Sequence, residues 1–463
     1  MRMTAAPTIS ARVRLRLPLA LAAPVWRAAA QAAARPNILM IAVDDLNTDL
    51  GCYGHAQVLS PNVDALARRG IRFDRAFCQY PVCNPSRTSL LSGRYPESTG
   101  ILENTTNPRA HMPDAVFLPE FLRRNGYFTG RVGKIYHDGM DGPNDWDVSL
   151  NPRPEAGPGR QGEGRNLTGG KFAFFQWRAA EGGDEDQPDG MIAAEAVRLV
   201  EQKREKPWFL AVGLRKPHDP YIAPKKYFEP YPLDRIAGPP GPANDEDDIP
   251  AAAYPPVRHG LGPLEAREYK RAYFACITFM DAQVGKVMAA LERSGQASRT
   301  LVVFFGDHGL HLGEHGWWNK VTLFGRSARV PMMVAGPPVS RPGRVCRRPV
   351  ELLSLYPSFA EWTGLRPPAG LQGASLMPLV RDPDAAWSRA AYTVVTRGKG
   401  LGRCLHDERF RYTEWPGGEV ELYDHDSDPH EYRNLRDDAA YARVRRELAN
   451  RLRESTTAAK PAR

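Results

Sequence analysis

Three stretches of the chain read as continuous apolar runs: Asn37 to Val43, Trp208 to Gly213 and Thr300 to Phe305. A run without polar alternation fits a strand buried on both faces, as in a parallel sheet. Between them, Met191 to Lys203 and Tyr269 to Arg293 repeat apolar residues at three- and four-residue spacing, the period of a helix lying on a core. Strands alternating with helices predict an α/β fold with a large, mostly parallel sheet sandwiched by helices.

Two stretches break this rhythm, Asn151 to Gly170 and Pro230 to Pro263, both dense in Pro and Gly. They read as long surface loops, of a length that often shapes a binding site. The acidic run Asp245 to Asp248 reads as a solvated loop face. After about Met377 the pattern shortens to alternating segments, Ala391 to Thr396, Phe410 to Trp415 and Glu421 to Tyr423, before a helical stretch from Ala439 to Leu452. These predict a smaller C-terminal antiparallel sheet plus helix. The expected organisation is residues 1–34 as a leader, 35–377 as the main domain and 378–463 as the C-terminal subdomain.

The leader changes the reading of charge. The chain of 463 residues carries a formal +9. Five arginines, Arg2, Arg12, Arg14, Arg16 and Arg27, lie in the first 34 residues, where no acidic residue offsets them. Without that segment the balance falls to +4, too mild to imply nucleic-acid binding but suited to an anionic substrate. A basic arm, the apolar stretch Leu17 to Trp26 and an alanine-rich end are the three zones of a secretory signal peptide. The expectation is an exported protein, periplasmic or secreted, with no later segment apolar for long enough to cross a bilayer. Six cysteines without a CxxC pair leave no zinc knuckle or disulfide scaffold.

Both apolar strands that end in acidic residues do so abruptly, at Asp44-Asp45 and at Asp307-His308. Ligands in open α/β sheets collect beyond the carboxyl ends of the strands, so these four residues are placed to converge. Three carboxylates beside one imidazole suit calcium or magnesium. An Asp-Asp pair after a strand also serves as a helix cap. Cys83-Asn84-Pro85-Ser86-Arg87 marks a helix start, where free backbone amides favour negative charge, and a nucleophile there would be stabilised.

Cys83-x-Pro85-x-Arg87 followed by Ser92-Gly93-Arg94 resembles the signature of the sulfatase family, in which the cysteine is oxidised to formylglycine. The rest of that family's set stands in order along the chain: Val43-Asp44-Asp45 before the motif, then Gly133-Lys134-Ile135-Tyr136-His137, Gly306-Asp307-His308-Gly309, and Glu421-Leu422-Tyr423-Asp424 with Asp428-Pro429 through Asn434-Leu435. The resemblance runs from about Arg35 to Leu435. Within the family the likeness is strongest to the iduronate-2-sulfatase branch, through Val212 to His218, Leu312 to Gly316, Tyr231-Pro232-Leu233, Arg411 to Trp415, and His308 where many other sulfatases have asparagine. Leu310 and Asn84 depart from that branch, which has tryptophan and a small residue there.

The resemblance implies one calcium ion per chain held by Asp44, Asp45, Asp307, His308 and the modified side chain at Cys83. It also implies a formylglycine-generating enzyme as maturation partner and a sulfated carbohydrate as substrate. Hydrated formylglycine would attack sulfur with one hydroxyl while Arg87 and calcium stabilise charge, and its second hydroxyl would let sulfate be expelled. His137 is then the base for expulsion, His218 the acid for the departing sugar oxygen, and Lys134 and Lys320 the holders of sulfate oxygens. Three other readings remain: phosphate mono- or diester hydrolysis on the same fold, a non-catalytic sulfated-glycan binder with an intact Cys83 thiol, and a zinc site at His311-x-x-Glu314-His315. The glycines at 309, 313 and 316 make the helix required by the zinc reading costly, at roughly 1 kcal/mol each.

Overall fold

The computed structural model describes residues 35–461; the leader expected at residues 1–34 lies outside them. A nine-stranded sheet forms the centre. Its order is Arg344–Cys346, Gly70–Phe77, Arg329–Ala335, Thr300–Gly306, Asn37–Val43, Trp208–Leu214, Phe128–Gly133 and Val148–Leu150, with Val350–Glu351 also paired to Gly70–Phe77. Asn37–Val43 is parallel to both neighbours, and Arg329–Ala335 runs against both of its own.

The unbroken apolar runs have the physical cause expected of them. Alternate side chains of Asn37–Val43 serve two cores. Leu39, Ile41 and Val43 pack with helices Pro188–Glu201 and Pro263–Arg293, while Ile38, Met40 and Ala42 pack with helices Cys83–Ser92 and Leu355–Thr363. Each fully buried aliphatic side chain of this kind contributes about 1.5–3 kcal/mol. Helix Pro263–Arg293 is long and apolar enough to cross a bilayer, which corrects the expectation that no later segment is. Two-thirds of its apolar window is buried inside the fold, so its composition reflects a core role.

Four antiparallel strands make the C-terminal sheet: Ala391–Arg397, Gly400–His406, Phe410–Glu414 and Val420–Asp424, followed by helix Ala442–Ala458. The second strand was not expected, because Gly400 and Gly402 interrupt its pattern. At Gly402 a Cβ would run into the Trp415 ring, so the neighbouring strand demands the glycine that hides this one. The stretch Asn151 to Gly170 is likewise more ordered than expected. Gly162–Asn166 pairs with Gln176–Ala180, which pairs with Tyr221–Pro224. Gly162–Asn166 is an exposed, polar edge strand, so it carries no apolar signal.

Candidate active site

Parallel register places the two acidic pairs side by side. Val43 lies opposite Gly306, so both strands end level, and the backbone ladder continues one step beyond them: Asp307 N–H donates to Val43 O, and Asp44 N–H to Leu214 O. Asp45 then turns with φ of 59°, a sparsely populated conformation for a residue with a side chain. Helix Cys83–Ser92, buried along its whole length, points its first residue at this edge.

The Cys83 sulfur lies 3.4 Å from His308 Nε2, 3.3 Å from Lys320 Nζ and 3.9 Å from Asp45 Oδ1. Donor atoms of Asp44, Asp45, Cys83 and His308 lie within 4.8 Å of one another. Asp307 stands apart from that set. One of its oxygens accepts the amides of Asp45 and His308, and the other accepts Arg87 Nε at 2.9 Å. Arg87 also donates to Asp44 Oδ1 at 2.9 Å and to the carbonyls of Lys134 and Ile135, so four of the five N–H groups of its guanidinium are engaged and its position is fixed. Lys134 Nζ meets Asp44 Oδ2, and Lys320 Nζ meets Asp45 Oδ1, each at 2.5 Å. Lys320 keeps the largest exposure of these cations, 13% of its side chain.

Burial alone would neutralise these groups; their neighbours decide otherwise. Burial pushes Asp45 up, but His218, Lys320 and His308 bring it down to about 2. Burial and Asp44 raise the Cys83 thiol, yet Lys134, Lys320 and His308 hold it well below its ordinary value, so the thiolate is favoured. Asp307, dominated by burial, is pushed up to about 6. His218 is lowered by burial and then lifted by Asp45 and Asp44 to about 9, which leaves it protonated at neutral pH. His137, half-buried and with no partner on Nδ1, is lowered by burial and by Lys134.

Two histidines have their orientation set by the backbone. His308 Nδ1–H donates to Gly309 O at 3.0 Å, which leaves Nε2 facing the sulfur and Asp45. His218 Nδ1–H donates to Asp219 O at 2.6 Å, between prolyl bonds that are both cis. Such second contacts fix tautomer and ring direction. Lys320 sits between Asn319 at φ 136° and Val321 at φ 73°. A β-branched residue there is an outlier, so surrounding packing holds this turn against its preference.

Sequence reasoning did not find several supporting residues. Tyr269 donates to the Asp219 carboxylate beside His218, and Tyr273 donates to Asp45 O. Asn84 donates to the carbonyls of Glu103 and Thr106, tying that segment over the helix start, while its own amide donates to Asn104 Oδ1. None of these has a local sequence signal, because each partner is distant along the chain. The acidic run needs correcting: Asp245 is buried against His315 Nδ1, and Asp248 accepts the amide of Asn434, so half the run anchors the proline-rich loop. Nor do His311 and His315 share a helical face. His311–Leu312 is a strand paired with Trp318–Asn319, and His315 takes φ of 56°. A cavity of about 750 Å³ between Asp49, Lys270, Arg326 and the segment around Glu431 is lined by none of the residues around Cys83 and mixes both signs of charge.

The family model for Sulfatase matches residues 36–365. The chain belongs to the sulfatase family. A second model, N-sulphoglucosamine sulphohydrolase C-terminal, matches residues 313–458 of this sulfatase. It is 32% identical over 430 residues to a sulfatase of Formosa agariphila, covering 86% of this chain and 83% of the relative. It is 33% identical over 383 residues to the iduronate 2-sulfatase of Mus musculus, covering 72% and 69%. Among solved structures it resembles the phosphonate monoester hydrolase of Agrobacterium radiobacter, with a TM-score of 0.77 and 26% identity over 92% of this chain and 96% of that one. This sulfatase is thus a sulfuric ester hydrolase. The family generally uses formylglycine and a divalent metal, and the buried cysteine among carboxylates is present here. Oxygen-rich donors around one imidazole nitrogen fit a hard divalent cation.

Proposed function

We propose that this sulfatase cleaves a sulfate ester on a uronate-containing or other sulfated glycan, in the manner of iduronate-2-sulfatase, with formylglycine formed from Cys83 and one calcium ion. The observation that carries the reading is the position of Cys83 itself, at a helix start with its sulfur against His308, Lys320 and Asp45. The identity to the mouse iduronate 2-sulfatase supports the substrate class.

Asp44, Asp45, Asp307, His308 and the side chain at 83 would hold the cation. When bound, formylglycine hydrate and calcium supply the attacking hydroxyl and the charge that favours its formation. Arg87, locked between Asp44 and Asp307, keeps the carboxylates aimed inward. Lys320, the more exposed ammonium, meets the sulfate first, and Lys134 takes a second oxygen deeper in. His218, protonated at neutral pH, gives its proton to the departing sugar oxygen. His137, shifted toward its neutral form, accepts the proton when sulfate leaves. Export through the basic leader would bring the protein to sulfated polysaccharide.

The test joins three measurements on purified protein. The mass of the peptide containing Cys83 falls on conversion to formylglycine. Metal analysis returns one calcium per chain, and Asp45→Asn lowers that content together with activity. A screen of defined sulfated mono- and disaccharides, run beside matched phosphate and phosphonate monoesters, finds sulfate turnover the highest. Preferred turnover of the phosphorus esters would replace this reading with the phosphoester one; an unmodified thiol with glycan binding but no turnover would make the protein a binder.

A further inference from the structure

Two loops that hold none of these catalytic groups meet beside the site and bring aromatic rings together. The hairpin from Gly162–Asn166 to Gln176–Ala180 turns through Lys171, Phe172, Phe174 and Phe175. The proline-rich loop contributes His259, whose ring centroid lies 4.1 Å from Phe172, 5.0 Å from Phe174 and 6.1 Å from Trp317. Phe172 and Phe174 are stacked, 5.4 Å apart with 27° between planes.

The cluster is tied to the catalytic floor at two points. Buried Phe175 packs on Tyr269 at 5.0 Å, and Tyr269 donates to the carboxylate of Asp219, the residue after His218. Trp317 Nε1 donates to Lys320 O at 2.9 Å. Its outer end differs. Phe172, Phe174 and His259 are only partly covered, and Lys171 is exposed. The Lys171 ammonium lies 5.4 Å from the Phe172 centroid and makes no ion pair among the described residues. Burial and Lys171 both push His259 below its ordinary value, so at neutral pH it is one more uncharged flat ring. Single exposed aromatics need no explanation, but a contiguous group with a free cation at its rim does.

We propose that this ring cluster is a glycan subsite: the sugar next to the sulfated residue packs a pyranose face against the open side of the Phe172–Phe174 stack, and Lys171 meets an acidic substituent of that sugar. Ring faces take up the apolar C–H face of a pyranose, and the free ammonium matches the anionic character of the substrate class. The inference rests on the glycan reading above.

The experiment compares a sulfated monosaccharide with a tetrasaccharide bearing the same sulfated residue, using mature enzyme. Wild type is expected to show the lower KM on the tetrasaccharide. Phe172→Ala is expected to raise that KM about five- to tenfold while leaving the monosaccharide unchanged. Phe172→Tyr, which keeps the ring, stays within about twofold of wild type, and Lys171→Gln raises the tetrasaccharide KM about threefold. Phe172→Leu keeps apolar bulk without a ring face and serves if the alanine variant fails to fold. Equal effects on both saccharides, or none on the tetrasaccharide, would overturn the subsite alone. Failure of wild type on both saccharides with turnover of an aryl sulfate would sink the glycan reading and the subsite with it.

Discussion

Two of the clusters of buried charge among the described residues are built on different plans. In the C-terminal sheet Arg411, fully buried, pairs with Glu421 and stacks between Phe324 and Tyr423 at 4.4 and 4.5 Å. Glu421 also accepts Trp415 Nε1, and Glu431 accepts His425 and the amide of Gly325. Arg411 keeps Nε and Nη1 without a hydrogen-bond acceptor among the described residues, but its charge is paired with Glu421 and, at 3.5 Å, with Glu431, which clamps the Phe324 turn to the strands. At the edge of the parallel sheet the cations instead come from separate segments, and the donor atoms face a common centre: Asp44, Asp45, Cys83 and His308 look at each other rather than away. A closed pair holds chain; an inward-facing ring of donors holds something else. Burial of charge alone therefore does not mark a site, and direction does.

The comparison breaks most sharply at its two centres. Cys83→Ala is expected to lower sulfate release by at least about four orders of magnitude, with a thermal midpoint near wild type; ion chromatography of sulfate and a melting curve check both. Arg411→Met leaves Glu421 buried without its partner and is expected to cost about 3–5 kcal/mol in urea unfolding, while release per folded molecule stays within a few-fold. Glu351 sharpens the contrast as a buried carboxyl in no ion pair among the described residues, held by Tyr95 OH and the amide of Tyr392 and lowered only weakly by Arg389. Burial pushes it from an ordinary 4.5 up to about 7. Its stabilising contribution is complete below pH 4.5 and is lost as pH rises through 7. Wild type and Glu351→Gln should therefore match in acid and diverge toward pH 8 by about 3 kcal/mol, with wild type the weaker. Parallel pH slopes for the two proteins would count against this. The smallest effect is expected from Gly402→Ala, which drives a methyl into Trp415 and should cost about 1–3 kcal/mol without moving KM.

What the sequence shows well is what depends on neighbours along the chain. Asn37–Val43 and Thr300–Gly306 are readable because both faces are buried, and their acidic ends are readable because the runs stop so abruptly. The Cys83 motif is compact enough to be recognised whole. Gly400–His406 and Gly162–Asn166 escape for a physical reason: one is shaped by a ring on the next strand, the other is an exposed polar edge. Asn84, Tyr269 and the meeting of Phe172 with His259 escape because each acquires its role only when segments far apart in sequence are folded together.

Only 1% of Cys83 is exposed to solvent. A large catalyst cannot grip a side chain at that depth, so on the proposed conversion of Cys83 the enzyme that rewrites its sulfur would have to arrive before the surrounding strands close. A polypeptide that collapsed early would then carry its thiol into a finished, inert shape. The fraction of working molecules in a preparation would record a race run during synthesis, and slowing collapse would raise it without altering a single residue.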